Sequence, residues 1–189
     1  MRRLLSLSLI CTLLMAGVAN STTVIPPTFA TLVAKANTIF VGEVTDVRSQ
    51  WVATRQGRAI VTKVTFKVED VWKGAAGAVT QLEFLGGTVG EMTMDVVGMP
   101  QFHAGQRSVL FVAGDATLVS PLVGFYHGRL RIEKDINGVD RVRTFDGRSL
   151  GSPNEVGANK ADYMASVTPM RLSDLETAVR GRVLAGRAR

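Results

Sequence analysis

Hydrophobic side chains in this chain change their spacing several times, and the changes divide it. From Leu4 to Met15 they run almost unbroken behind Met1-Arg2-Arg3. A short positive segment, an apolar stretch of that length and the small residues Gly17, Ala19 and Ser21 make a signal peptide. The stretch is too short for the roughly 20 residues that span a bilayer. The expectation is a signal over 1–21, cleaved after Ala19 or Ser21. The chain is then exported, periplasmic or secreted, with no membrane attachment after cleavage.

Beyond Pro26-Pro27-Thr28 the spacing becomes helical: Phe29, Leu32, Val33 and Ala36 share a face. It then becomes that of strands. Ile39 to Val47 is apolar on both faces at its start, which predicts cover on both sides there, and Gly42 marks a bend or a close approach. Ile60 to Trp72 alternates most clearly. Ile60, Val64, Phe66, Val68 and Trp72 face one way, with Thr62 and Asp70 interrupting, and Lys63, Thr65, Lys67, Glu69 and Lys73 face the other. A strand this long is expected to coil or carry a bulge. Val79 to Phe84 and Glu91 to Val97 read as further strands around Gly86-Gly87-Thr88-Val89-Gly90. Gly98-Met99-Pro100 then breaks the pattern, and Ser108 to Val112 reads as a buried strand.

Leu130 to Thr144 predicts a hairpin whose register follows from charge. A three-residue Ile136-Asn137-Gly138 loop sets Asp135 opposite Val139, Lys134 opposite Asp140, Glu133 opposite Arg141 and Ile132 opposite Val142. Unlike charges then pair on one face and apolar residues on the other. Residues 145–172 are polar and glycine-rich, predicting a loop or linker. Ser173-Asp174-Leu175-Glu176 predicts a capping box opening a helix to about Leu184, with a frayed tail to 189. The fold class expected is mainly β: an OB-like barrel of five or slightly more strands over 22–144, with short helices at either end.

Composition narrows the picture. Of 189 residues 46% are hydrophobic and 20% charged, which excludes global disorder and a polytopic membrane protein. The one cysteine, Cys11, lies within the apolar leader and leaves with it, so neither a disulfide framework nor a cysteine zinc site is available. The net charge of +6 includes Arg2 and Arg3 of the leader. The remaining surplus is mild, and with export it argues against a nucleic-acid partner.

Three segments resemble netrin-like modules, the group that includes the tissue inhibitors of metalloproteinases. They are Ala36-Asn37-Thr38-Ile39-Phe40-Val41-Gly42-Glu43-Val44, Val64 to Gly74, and Phe102 to Val112. The likeness covers 36–113, and it is similar in plan to uncharacterised exported bacterial proteins. It implies an OB-type five-stranded barrel. It carries over no inhibitory role, because those inhibitors chelate zinc through an N-terminal cysteine that the processed chain lacks.

The candidate chemistry is sparse. There is no Gly-x-Ser-x-Gly, no His-Glu-x-x-His and no Cys-His arrangement, so an enzyme is not expected. Glu69 and Asp70, adjacent in a strand, face apart and cannot act as a carboxylate pair. Ser120, His127 and Asp146 are a triad only if the fold gathers them. The glycine cluster at 86–90 lacks the Lys-Ser/Thr ending of a phosphate loop, so it serves a tight turn or a close backbone approach, beside an edge that a peptide could extend. The working surface expected is Gly86, Gly87, Gly90, Met99, Pro100 and Phe102, binding an exported protein or peptide without a cofactor. A second surface is the basic set Arg129, Arg131, Arg141 and Arg143, facing outward. No metal is expected. The alternative reading is a copper-handling protein with Met92, Met94, Met99 and His103 as soft ligands, although methionines also fill irregular cores. His103 and His127, far apart in sequence, make a weak zinc or iron set even with Glu91 or Asp95.

Overall fold

The computed structural model describes residues 26–55, 57–114, 119–157 and 168–187. The expected signal peptide and Cys11 lie outside the described residues. Thr28 caps a short helix, α1 (Phe29–Lys35), by accepting a hydrogen bond from Thr31 N at 3.2 Å, and Phe29, Leu32 and Val33 form its buried face. At the other end the Lys73 ammonium donates to the carbonyls of Val33 (2.7 Å) and Ala34 (3.3 Å), where helix carbonyls lack partners.

Eight strands follow: β1 (Thr38–Thr54), β2 (Gly57–Lys73), β3 (Val79–Leu85), β4 (Gly87–Val89), β5 (Met92–Met94), β6 (Arg107–Val112), β7 (Arg129–Lys134) and β8 (Asp140–Arg143). Six form one antiparallel sheet in the order β3-β2-β1-β6-β7-β8, and β4 and β5 form a separate hairpin. A second helix, α2 (Leu172–Arg187), follows the strands. Among the described residues no strand pairing joins β3 to β8, so the sheet has two edges: the mainly β class is as expected, but the expected barrel is not closed. β8 is shielded by bridges from Arg141 to Arg171 and from Arg143 to Ser149.

The apolar residues form two cores on opposite sides of the sheet rather than a single interior. Ile39, Val41, Val109, Phe111, Leu130, Ile132 and Val142 face α1, Leu175 and Val179 of α2, and Trp72. Phe40, Val44, Val64, Phe66, Leu82, Phe84, Leu110 and Phe102 pack on the other side. This explains the doubly apolar start of β1. It also corrects the expected placement of Trp72 with Val64 and Phe66. The pairing skips a residue between Ile39↔Lys73 and Phe40↔Val71 and again between Val41↔Asp70 and Gly42↔Val68. The β-bulge between Val68 and Asp70 inverts the alternation, so Val71 stays on the Phe66 side and Trp72, skipped by the second bulge, reaches the helical side. Gly42 meets the predicted close approach: a Cβ there would sit 2.9 Å from the Phe40 ring.

The β7–β8 register is Arg131↔Arg143, Ile132↔Val142, Glu133↔Arg141 and Lys134↔Asp140, as charge and polarity require. Asp135 N donates to Val139 O, and Gly138 takes φ 76°, the left-handed position of the three-residue loop. Three expectations are corrected. Glu91 to Val97 forms a strand only over Met92–Met94. Leu150 and Val156 are buried in the helical-side core, so residues 145–157 belong to the body rather than to a linker. Helix α2 begins at Leu172, two residues earlier than a Ser173 cap allows. Asp174 receives the Arg171 N–H at 3.4 Å, and Glu176 pairs with Arg180 at 2.7 Å instead of reaching back.

Candidate functional site

The β4–β5 hairpin folds over the β1–β2 ribbon as a flap, and its attachment begins with hydroxyls. Ser49 on β1 and Thr62 on β2 lie across the ribbon from one another, their oxygens 2.9 Å apart, and Thr62 Oγ1 donates to Gly86 O at 2.7 Å. Gly86 N donates to Ile60 O at 2.7 Å. Gly86 and Gly87 hold φ of 100° and 130°, and a Cβ on Gly87 would overlap Thr62 Oγ1 and Ser49 Oγ. Backbone therefore lies directly on the ribbon, which only glycine permits at this place. Within the flap, the Thr88 and Thr93 hydroxyls bond at 2.9 Å.

Between flap and ribbon runs a cleft of about 270 Å³. Val47, Ser49, Thr62 and Val64 form its floor. Leu85 to Thr88 and Thr93 to Val96 form one wall, and Met99 to Phe102 the other. Asp95 is its one charged lining residue, exposed and without a hydrogen-bond or ionic partner among the described residues. Two larger hollows, of about 650 and 700 Å³, lie beside Leu122 and Phe125 and between α1 and α2. The second adjoins Lys73, whose ammonium is already engaged by the α1 carbonyls.

The Met99–Phe102 wall is held from behind by Arg129. Phe102 packs edge-on against Phe66 (5.5 Å) and at a tilt against Phe84 (5.0 Å), and the Arg129 guanidinium lies 4.3 Å from its ring centre. Arg129 is only 4% exposed. It donates to Ser108 Oγ (3.0 Å), Gln106 Oε1 (2.8 Å) and the Gln101 carbonyl. Its hydrogen-bond acceptors are all neutral. Burial, with Arg131 nearby, lowers its pKa to about 10, so it stays charged at neutral pH.

The cleft gathers Gly86, Gly87, Met99, Pro100 and Phe102 of the expected surface, whereas Gly90 lies at the flap turn with open space around it. Of the soft-ligand set, Met94 and Met99 line the cleft. Met92 is 60% exposed on the flap, and His103 is exposed outside the lining. Among the described residues no three His, Cys, Asp or Glu side chains converge on a metal position.

The basic set does not form an outward patch. Arg129 is buried as described. Arg131 and Arg143 both pair with Glu133 (2.6 and 2.9 Å), and Arg141 pairs with Asp135 (2.8 Å). The triad is dispersed as well. Ser120 is buried with its hydroxyl accepting from Leu122 N. His127 lies against Tyr126 and Phe145, and Asp146 is bound to Thr144 and Arg148. Glu69 and Asp70 do not face apart as expected, because the bulge at Val68–Asp70 brings both to the helical side, where each is engaged separately: Glu69 takes a two-point contact from Arg107, and Asp70 takes Trp72 Nε1 and Arg180.

Sequence reasoning missed Ser49, Gln101 and the role of Arg129, and it weighed Asp95 only as a metal ligand. One signal was present, since Thr62 interrupts an apolar face where only a specific partner would justify a hydroxyl. Comparison of the chain with known family models, characterised proteins and solved structures found no match.

Proposed function

We propose that this protein is a non-enzymatic exported binding module whose flap cleft receives a side chain of a protein or peptide partner. The observation that carries the reading is the pairing of a glycine-pinned flap with a wall clamped by a buried arginine. Together they keep a mixed apolar and hydroxyl cleft open. Phe84, Phe102, Met94 and Met99 suit an apolar stem, and adaptable thioethers suit varied shapes. Asp95 at the lining suits a cationic end. In this reading the strongly bulged sheet is of the OB type, related in plan to netrin-like modules, and the flap is an elaboration on its face.

Hydrogen exchange tests it. Peptides presenting lysine are expected to slow exchange across 86–103, and Asp95→Lys is expected to weaken them about fivefold, the scale of an exposed ion pair. Unchanged exchange across that segment with every peptide tried would overturn the reading. A second reading is favoured by one observation, that Met94 and Met99 line the same cleft. It makes the cleft a Cu(I) site. Titration against a competing chelator decides between them: stoichiometric binding lost in Met94→Leu/Met99→Leu supports copper, and no competition ends it.

A further inference from the structure

The β1–β2 ribbon outruns the sheet that holds it. On one side β6 pairs with β1 only as far as Glu43↔Arg107, and the last main-chain links across that border join Val44 to Gly105 and Gln106. From Asp46 to Ala53, β1 pairs with β2 alone, and among the described residues no backbone hydrogen bond leaves its outer edge. Thr45, Val47, Arg48, Gln50 and Ala53 are exposed along it. Such an edge offers a row of unpaired donors and acceptors to another strand.

The charge on this arm is one-sided. Between Thr45 and Val68 the chain carries Arg48, Arg55, Arg58, Lys63 and Lys67, against Asp46 as the single carboxylate. Lys63 is matched by Glu83 at 3.1 Å, and Asp46 meets Arg48 at 3.0 Å. Arg48 is still 79% exposed in that pair. Arg58 lies over the Trp51 ring at 4.8 Å and, like Arg55, has no carboxylate beside it among the described residues. Arg131, Arg141 and Arg143 of the β7–β8 hairpin are neutralised by Glu133 and Asp135, whereas Arg55 and Arg58 of the arm have no carboxylate beside them among the described residues.

We infer that the free edge of β1 from Asp46 to Ala53 binds an acidic, extended polypeptide segment as an added antiparallel or parallel strand. Main-chain pairing supplies the contact, and Arg48, Arg55 and Arg58 select carboxylate-bearing side chains. This edge borders the flap cleft through Val47 and Ser49, but the inference rests on the main chain and arginines of the arm and not on the cleft reading.

The test uses purified ¹⁵N-labelled protein and three capped hexapeptides: alternating Val-Glu, alternating Val-Lys, and Val-Glu with alternate backbone nitrogens methylated. The Val-Glu probe is expected to shift amides of 46–53 saturably, and the Val-Lys probe to leave them unmoved. Arg48→Glu/Arg55→Glu/Arg58→Glu is expected to weaken the Val-Glu probe at least about tenfold and to admit Val-Lys. Methylation, which removes strand donors, is expected to weaken binding about tenfold. The inference fails if Val-Glu moves no amide in 46–53, if the methylated probe binds equally well, or if the charge reversals have no effect. Should the triple variant not fold, Arg55→Ala/Arg58→Ala is read by the same criteria.

Discussion

Arg129 shows how much can rest on one side chain. Its guanidinium sits among neutral acceptors and an aromatic face, joining β7, β6 and the Gln101–Gln106 turn. Arg129→Met keeps the bulk but leaves three acceptors without their donor, so a stability loss of about 3 kcal/mol is expected in denaturant titration. Faster amide exchange at Phe102 and Gln106 should accompany it. His127 acts through pH. Burial holds its pKa below the ordinary 6.5, Arg148 adds to the effect and Asp146 opposes it. Between the lowered value and 6.5 the unfolded chain therefore binds more protons than the folded one, and stability falls as pH drops through that window. His127→Gln should flatten the change in denaturation midpoint between about pH 7 and about pH 5. The carboxylates respond lower. Asp135 is held below 3.8 chiefly by Arg141, and Asp140 is pushed up by burial but held below 3.8 by Arg107 and Lys134. Their contribution is present above 3.8 and is lost as pH falls through the lowered values, apart from the histidine effect.

Among the elements, the flap makes the sharpest prediction. Gly87 and Gly90 both hold positive φ, but Gly87 rests on Ser49 and Thr62 while Gly90 has nothing within 4 Å. Gly90→Ala should cost about 1 kcal/mol, from backbone conformation alone. Gly87→Ala adds a collision that cannot relax without lifting the flap, so peptide protection across 86–103 should be lost while the six-stranded sheet survives. Equal effects of the two substitutions, read by hydrogen exchange, would mean that flap and ribbon are not in direct contact. Hairpin β7–β8 illustrates the opposite case, an element whose register is settled locally by polarity on its two faces and a glycine at the turn.

On the scale of the whole molecule, one sheet carries two cores, and each needs the other side to be covered. Phe66→Ala on the flap side and Leu175→Ala on the helical side should each cost about 3 to 4 kcal/mol. Because β1 contributes to both cores, each variant should still unfold in one cooperative transition by circular dichroism and by tryptophan fluorescence. Two separate transitions would show that the layers are independent. Arg180 on α2, bonded to Asp70 of β2 at 3.1 Å, ties the helix to the sheet but is half exposed and should contribute little.

The sequence by itself determined what depends on near neighbours. The α1 face, the alternation of the strands and the 136–138 turn with its register all follow from residues a few positions apart. The tertiary structure decided what depends on distant contacts. Alternation cannot reveal a bulge, so Trp72 changes sides. A basic residue cannot announce whether it will be buried, so Arg129 becomes a clamp instead of a surface charge. Polar spacing cannot show that Ser49 and Thr62 will meet a glycine more than 20 positions away in the chain. Nor does any local pattern record where a partner strand stops, and that is what leaves the β1 edge open beyond Val44. Side-chain periodicity specifies which face is apolar, but only assembled backbone geometry specifies what each face meets.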